Sequence, residues 1–181
     1  MTENPNSDEY LYAAYHRGDL AAFDRLYACY RQPLYLFLLR RGHSETVAED
    51  LFHDCWMRVL DRQSGFNGNN FRAWIFAIAR NLSTDTFRRS SLRSATGFDE
   101  NTTQAVDFST QQVQEDMDCI ELIKNSVAAL PIEQRDAFLL KEEAGLTLQQ
   151  LADLMAVGRE TIKSRLRYAM KQLKQLMADC L

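Results

Sequence analysis

The sequence predicts an all-α protein: two small helical domains joined by a flexible acidic linker. Three observations carry that expectation. Apolar residues recur at intervals of three and four through most of the chain, and no β-type alternation of useful length interrupts them. The composition changes once, between Gly97 and Asp118, where about six acids and no Lys or Arg stand among Gln, Thr and Ser. Beyond that break, Leu146 to Leu176 reads as a short helix, a tight turn at Ala156-Val157-Gly158 and a longer helix. The predicted boundaries are residues 1–95 for the first domain, 96–118 for the linker and 119–181 for the second domain.

Composition excludes several classes. With 46% hydrophobic and 10% aromatic residues, the 181-residue chain can bury real cores and is not a disordered protein. No run of eighteen apolar residues exists, and MTENPNSDEY lacks the basic and apolar parts of a signal peptide. The expected location is cytoplasmic, without membrane insertion. Cys29, Cys55, Cys119 and Cys180 show no CxxC spacing and read as reduced thiols. His53 and Cys55 point in different directions on a helix, which excludes a metal pair there. No Gly-rich phosphate loop, nucleophile elbow or clustered His/Asp/Glu set exists. No catalytic residue, metal or cofactor is expected, and the chain does not read as an enzyme.

The elements follow in order. A short helix is expected over Glu9–Gly18, then a longer one from Leu20, with Phe23, Leu26, Tyr27 and Tyr30 on its apolar face. Pro33 interrupts that pattern, which resumes to Arg41, so a kinked helix or a closely spaced pair is expected. Ser44 is placed to cap a helix over Glu45–Gln63 that buries Ala48, Leu51, Phe52, Cys55, Trp56 and Val59. Ser64 to Asn70 is a loop by its Gly and Asn content, with Phe66 planted inside it. The next helix runs from Phe71 to about Arg89, buries Trp74, Ile75, Ile78 and Leu82, and ends in basic character. After the linker, Ile120, Ile123 and Val127 share a helical face, and Pro131 opens a helix that Gly145 stops.

The C-terminal pair of helices is a helix-turn-helix. Ile162, Leu166, Ala169 and Leu173 form the apolar back of the second helix. Glu160, Ser164, Arg167 and Lys171 stand opposite, with Arg159 and Lys163 on one flank. About six basic residues against one acid lie between Arg159 and Lys174, in a chain of net charge −4. An apolar back with a basic, hydrogen-bonding front suits a DNA major groove. Lys163 and Arg167 can donate to guanine, Ser164 suits several bases, and Glu160 can accept from cytosine or orient a neighbouring Arg.

Two further constellations stand in the first domain. Phe66, Phe71 and Trp74 gather around an Asn- and Gly-rich stretch next to a basic helix, a combination that can hold unstacked single-stranded bases. The same spacing also suits a simpler role, with Phe71 and Trp74 in the core and Phe66 anchoring the loop. Glu49, Asp50 and Asp54 form an acidic face that is either a solvated surface or, with Phe52 and Trp56 beside it, a protein-docking face.

With these residues in hand, the chain resembles a bacterial RNA polymerase sigma factor of the sigma-70 family, in its small extracytoplasmic-function (ECF) group. AEDLFHDCWMRVL (Ala48–Leu60) resembles region 2.2, and SGFNGNNFRAWIFAIARNLSTDTFRR (Ser64–Arg89) resembles regions 2.3 and 2.4. Leu130–Leu173 resembles region 4. The resemblance implies that Glu49, Asp50, Phe52, Asp54 and Arg58 dock on the β′ clamp helices of core RNA polymerase. It assigns Phe66, Asn67, Asn69, Asn70 and Phe71 to melting the −10 element and capturing a flipped base. Asn81 would meet the duplex edge there, and Arg88 and Arg89 its phosphates. Arg159, Glu160, Lys163, Ser164, Arg167 and Lys171 would read the −35 element, while region 4 rests on the β flap. Promoter DNA, duplex and single-stranded, and an anti-sigma factor are the further partners implied. The chain departs from the family's commonest pattern at Asn67-Gly68-Asn69-Asn70 and at Tyr168. The alternative is a two-domain helix-turn-helix regulator that binds promoter duplex without polymerase.

Overall fold

A computed structural model describes residues 4–61, 65–66, 69–95 and 115–176. Among them, eight helices and no strands occur. Helix α1 (Asp8–His16) starts at Ser7, whose hydroxyl accepts the Tyr10 N–H at 3.2 Å. Helix α2 (Leu20–Arg40) starts at Asp19, which accepts from Ala22. These short oxygens satisfy amides that have no partner inside the first turn.

Pro33 neither breaks nor divides α2. A proline inside a helix removes one hydrogen bond and costs about 3 kcal/mol. The acceptor it abandons is the carbonyl four residues earlier, at the exposed Cys29, where water can replace the lost donor. The adjacent Tyr30 and Leu34 are wholly buried, and each such side chain returns about 1.5–3 kcal/mol. Burial on one face therefore holds the helix through the proline.

Helix α3 (Glu45–Leu60) is capped by Ser44 as expected and ends at Leu60, before the Gln63 predicted from sequence. Helix α4 (Phe71–Ala95) runs beyond the predicted Arg89. Residues 90–95 contain neither Gly nor Pro, and the Ser90 hydroxyl donates to the Phe87 carbonyl at 2.9 Å, so nothing local stops the helix. The start of α4 is held twice. Asn70, at φ +52°, accepts the Ala73 N–H through its side chain, and Glu9 of α1 accepts the Phe71 N–H at 2.9 Å. Helices α1–α4 form a bundle around Leu26, Tyr30, Phe37, Val59, Phe71 and Phe76, all at most 1% exposed. Desolvation pushes the Tyr30 phenol up from its ordinary range, aided by its hydrogen bond to Asp8.

The second bundle comprises α5 (Glu115–Ala128), α6 (Ile132–Glu142), α7 (Leu148–Met155) and α8 (Arg159–Leu176). Helix α5 begins inside the stretch expected to be linker, while residues 96–114 lie outside the described ones. Ile123 departs from the expected apolar face and is 43% exposed, whereas Val127 is buried. Pro131 is the N-cap of α6 rather than its first residue. Thr147 and Gln150 make a reciprocal capping box that starts α7. Leu139, Leu140, Leu151, Ile162, Ala169 and Leu173 close the core between α6, α7 and α8.

The two bundles touch, with α2 against α5 and α6, and α4 against α7. At the centre of that contact, Asp136 of α6 is 1% exposed and faces two guanidinium groups of the first bundle. Arg41 donates to its two carboxylate oxygens at 2.6 and 2.9 Å, and Arg80 donates at 2.8 Å.

Candidate nucleic-acid interface

The turn between α7 and α8 fixes how α8 is presented. Ala156 takes the left-handed conformation (φ 53°, ψ 44°), and the Val157 N–H returns to the Ala152 carbonyl at 3.0 Å. Such a reversal closes the end of α7 and swings the chain into the second helix. Ile162 and Ala169, wholly buried, seat α8 on its neighbours. Arg165 of α8 pairs with the half-exposed Glu133 of α6 at 2.8 Å, a minor addition to that apolar seat.

With the back fixed, the predicted front faces out. Arg159, Glu160, Lys163, Arg167 and Lys171 are exposed and Ser164 is half-buried. Glu160 pairs with Lys163 at 2.7 Å, not with an Arg. That hydrogen bond, with the positive charge behind it, holds the Glu160 carboxyl below the usual range. The Ser164 hydroxyl turns back to the Glu160 and Thr161 carbonyls at 2.9 and 3.0 Å. It must rotate away from them to reach a base. The Arg167 guanidinium lies over the ring of the half-exposed Tyr168, 5.3 Å from its centroid, a contact that restricts the side chain's freedom.

On α4, Asn81, Arg88 and Arg89 are exposed; Asn81 and Arg88 share one stripe and Arg89 stands to its side. The loop before α4 is divided. Asn69 is exposed, Asn70 is half-buried and spends its side chain on the helix cap, and Asn67 lies outside the described residues. Phe71 is wholly buried and belongs to the core, so it presents no face to a base. Phe66 is half-buried, edge-on to Tyr12 at 4.9 Å and 5.1 Å from Trp74. Tyr12, on α1, is a member of this aromatic cluster that the sequence pattern did not indicate. Contact across more than fifty residues has no local signal.

The acidic face of α3 is also open: Glu49, Asp50, Asp54 and Arg58 are exposed and Phe52 is half-buried. Trp56 is buried at 4% exposure and supports the helix from behind. At the end of α3, an open depression of about 330 Å³ is lined by Asp54, Met57, Arg58, Asp61 and Leu82. Met57 is 52% exposed there. No group of three or more His, Cys, Asp and Glu fit to hold a metal occurs among the described residues.

Two helical bundles, each with an exposed basic helix face and one carrying a helix-turn-helix, define a bipartite DNA-binding transcription factor. The model for Sigma-70 region 2 matches residues 26–93, and that for Sigma-70, region 4 matches residues 127–175. The chain belongs to the sigma-70 family, in its ECF group, whose members are non-enzymatic factors of transcription initiation.

The ECF RNA polymerase sigma factor SigX of Bacillus subtilis is 29% identical over 164 residues, 86% of this chain and 83% of SigX. The ECF sigma factor BldN of Streptomyces coelicolor is 28% identical over 169 residues, 90% of this chain and 62% of BldN. Two solved structures share the fold. RpoE in complex with the anti-sigma factor NepR, from Bartonella quintana, superposes with a TM-score of 0.69 at 24% identity, covering 86% of this chain and 96% of that one. CnrH in complex with the cytosolic domain of CnrY gives 0.67 at 20% identity, covering 95% and 97%.

Proposed function

We propose that this sigma factor binds core RNA polymerase through α3, reads a −35 element through α8, and opens a −10 element with the loop before α4. The observation that carries the reading is the pair of exposed basic faces, Lys163/Arg167/Lys171 on α8 and Arg88/Arg89 on α4, held on separate bundles of one chain. Phosphate contacts position both bundles without reading sequence, and the α8 side chains that reach base edges supply specificity. Glu160 serves that task by steering Lys163. Melting draws its energy from single-stranded bases held by the loop, against lost stacking of a few kcal/mol per flipped base.

For the loop, the geometry favours a narrower assignment than the family's pattern. Phe66 and Asn69 offer surface to a base, while Phe71 and Asn70 shape the loop from beneath. On α3, Asp54 and Arg58 border the depression that exposes Met57, a mixed charged and apolar surface fit for a protein partner. An anti-sigma factor is a further partner, supported by the NepR complex of the structural neighbour RpoE. The site of action is the cytoplasm, where core polymerase and DNA are; no described helix is long and apolar enough to cross a membrane.

Run-off transcription from a matched promoter, with core polymerase and with or without this chain, tests the reading. Initiation only when both are present is the expected result. Sequence-specific duplex binding without any polymerase-dependent initiation would instead favour a free-standing regulator.

A further inference from the structure

One face of α1 reaches the loop before α4 from beneath. Glu9, Tyr12 and His16 follow at spacings of three and four and share a stripe of that helix. The Tyr12 ring meets three aromatics of the loop and α4: Phe66 at 4.9 Å, Phe71 at 5.5 Å and Trp74 at 5.7 Å between centroids. His16 closes on Tyr12 at 4.4 Å from the same helix. Glu9 accepts the Phe71 N–H at 2.9 Å, across sixty-two residues of sequence.

The first amides of a helix have no partner within it and carry its positive end. Asn70 serves the Ala73 amide from inside the loop, and does so from a left-handed backbone at φ +52°. The Phe71 amide is taken by the Glu9 carboxylate instead, and a bond to an ionised acceptor is the stronger kind. It fixes the peptide that joins Asn70 to Phe71, one residue after Asn69. Tyr12 fixes Phe66 at the other end. Both loop residues that offer surface to a base are therefore held in place from α1.

Helix α1 does not depend on Glu9 for its own place. Leu11 and Ala14 are buried beneath it, Asp8 accepts from the Tyr30 hydroxyl, and Ser7 caps its first turn. We propose that Glu9 is a positioning residue for promoter opening: through the Phe71 amide it holds the loop in the form that accepts an unpaired base. The inference rests on base capture by that loop, as given above. A loop that holds the accepting form for a fraction of the time has its apparent Kd raised by the inverse of that fraction.

Holoenzyme assembled from core polymerase and the full chain tests the proposal. The probes are labelled single-stranded oligonucleotides carrying either strand of the −10 element. Glu9→Ala should weaken binding of the strand the wild type holds by ~10-fold, if its loop keeps the accepting form one-tenth of the time. Affinity for a duplex carrying the −35 element should not change. Glu9→Gln keeps an acceptor oxygen and should restore most of the loss. Removing a negative charge near DNA would by itself strengthen binding. A loss in Glu9→Ala that Gln rescues thus has the sign of the hydrogen bond and not of the charge. Ser7→Ala, which removes the α1 cap, should lower the Tm and leave oligonucleotide binding at the wild-type level.

Wild-type or tighter oligonucleotide binding by Glu9→Ala, with Phe66→Ala impaired, would overturn the role of Glu9 and leave the proposed function standing. An equal loss in Ser7→Ala would overturn it too, by tracing the effect to general stability. Phe66→Ala at wild-type affinity would remove base capture from the loop, and this inference with it.

Discussion

The imidazole of His43 lies flat on the ring of Phe87, with centroids 4.1 Å apart and planes 12° from parallel, and its Nε2 meets the Ser83 hydroxyl. Burial, and then the nearby positive charge of Arg41, push its pKa down from 6.5 to about 4. The folded protein therefore keeps this ring neutral while the unfolded chain protonates it. Its contribution is complete above pH 6.5 and is lost as pH falls from 6.5 towards 4. The loss is about 2 kcal/mol by pH 5, at ~1.4 kcal/mol per pH unit. Urea melts of the wild type at pH 7 and pH 5 should show that loss, and His43→Gln should reduce it. An unchanged pH slope in the variant would place the proton elsewhere.

Ala156 ends α7 at φ +53°, where a β-carbon is crowded by the following carbonyl. Relief from that strain is worth about 1–2 kcal/mol, against the extra freedom glycine gives the unfolded chain. Ala156→Gly is expected to stabilise by roughly 0.5–1 kcal/mol and to raise the Tm by a few degrees. A lower Tm would show that the turn is held by something other than its backbone geometry.

Arg167 stands at the centre of the α8 front, its guanidinium over Tyr168. Arg167→Ala should cost ~1–3 kcal/mol of affinity for the −35 duplex and relax its discrimination at one base pair. Lys171→Ala should weaken matched and mismatched duplexes alike and lower the salt slope by about 0.9. Titrations at several salt concentrations separate the two; equal effects on all sequences from both variants would remove Arg167 from base reading.

Phe66→Ala should leave promoter recognition in place and impair opening. Permanganate footprints of the complex with core polymerase report unpaired thymines directly. Normal footprints would show that Phe66 serves only to seat the loop against Tyr12.

Periodicity carried most of the fold, because the cores of both bundles are built from helix faces that repeat within one element. Ser44 and the apolar back of α8 were readable for the same reason. Pro33 left a single helix and a closely spaced pair both open, and the single helix rests on the burial of Tyr30 and Leu34, which depends on distant helices. The Phe66 loop was only half legible. Its composition marked it, yet the division between buried Phe71, capping Asn70 and open Asn69 follows from where Glu9 and Tyr12 sit. Asp136 gave no sign at all: a single acid on an amphipathic helix looks solvated until a second bundle brings arginines to it.

Glu9 on the Phe71 amide and Tyr12 against Phe66 have a consequence for engineering. The foundations of the loop lie in α1, ahead of residue 26, where the match to Sigma-70 region 2 begins. A chimaera that transplants only residues 64–71 between relatives carries the loop's letters without its footing. The unit to exchange is the loop together with the first helix, and substitutions in α1 give a way to retune the loop without altering any residue within it.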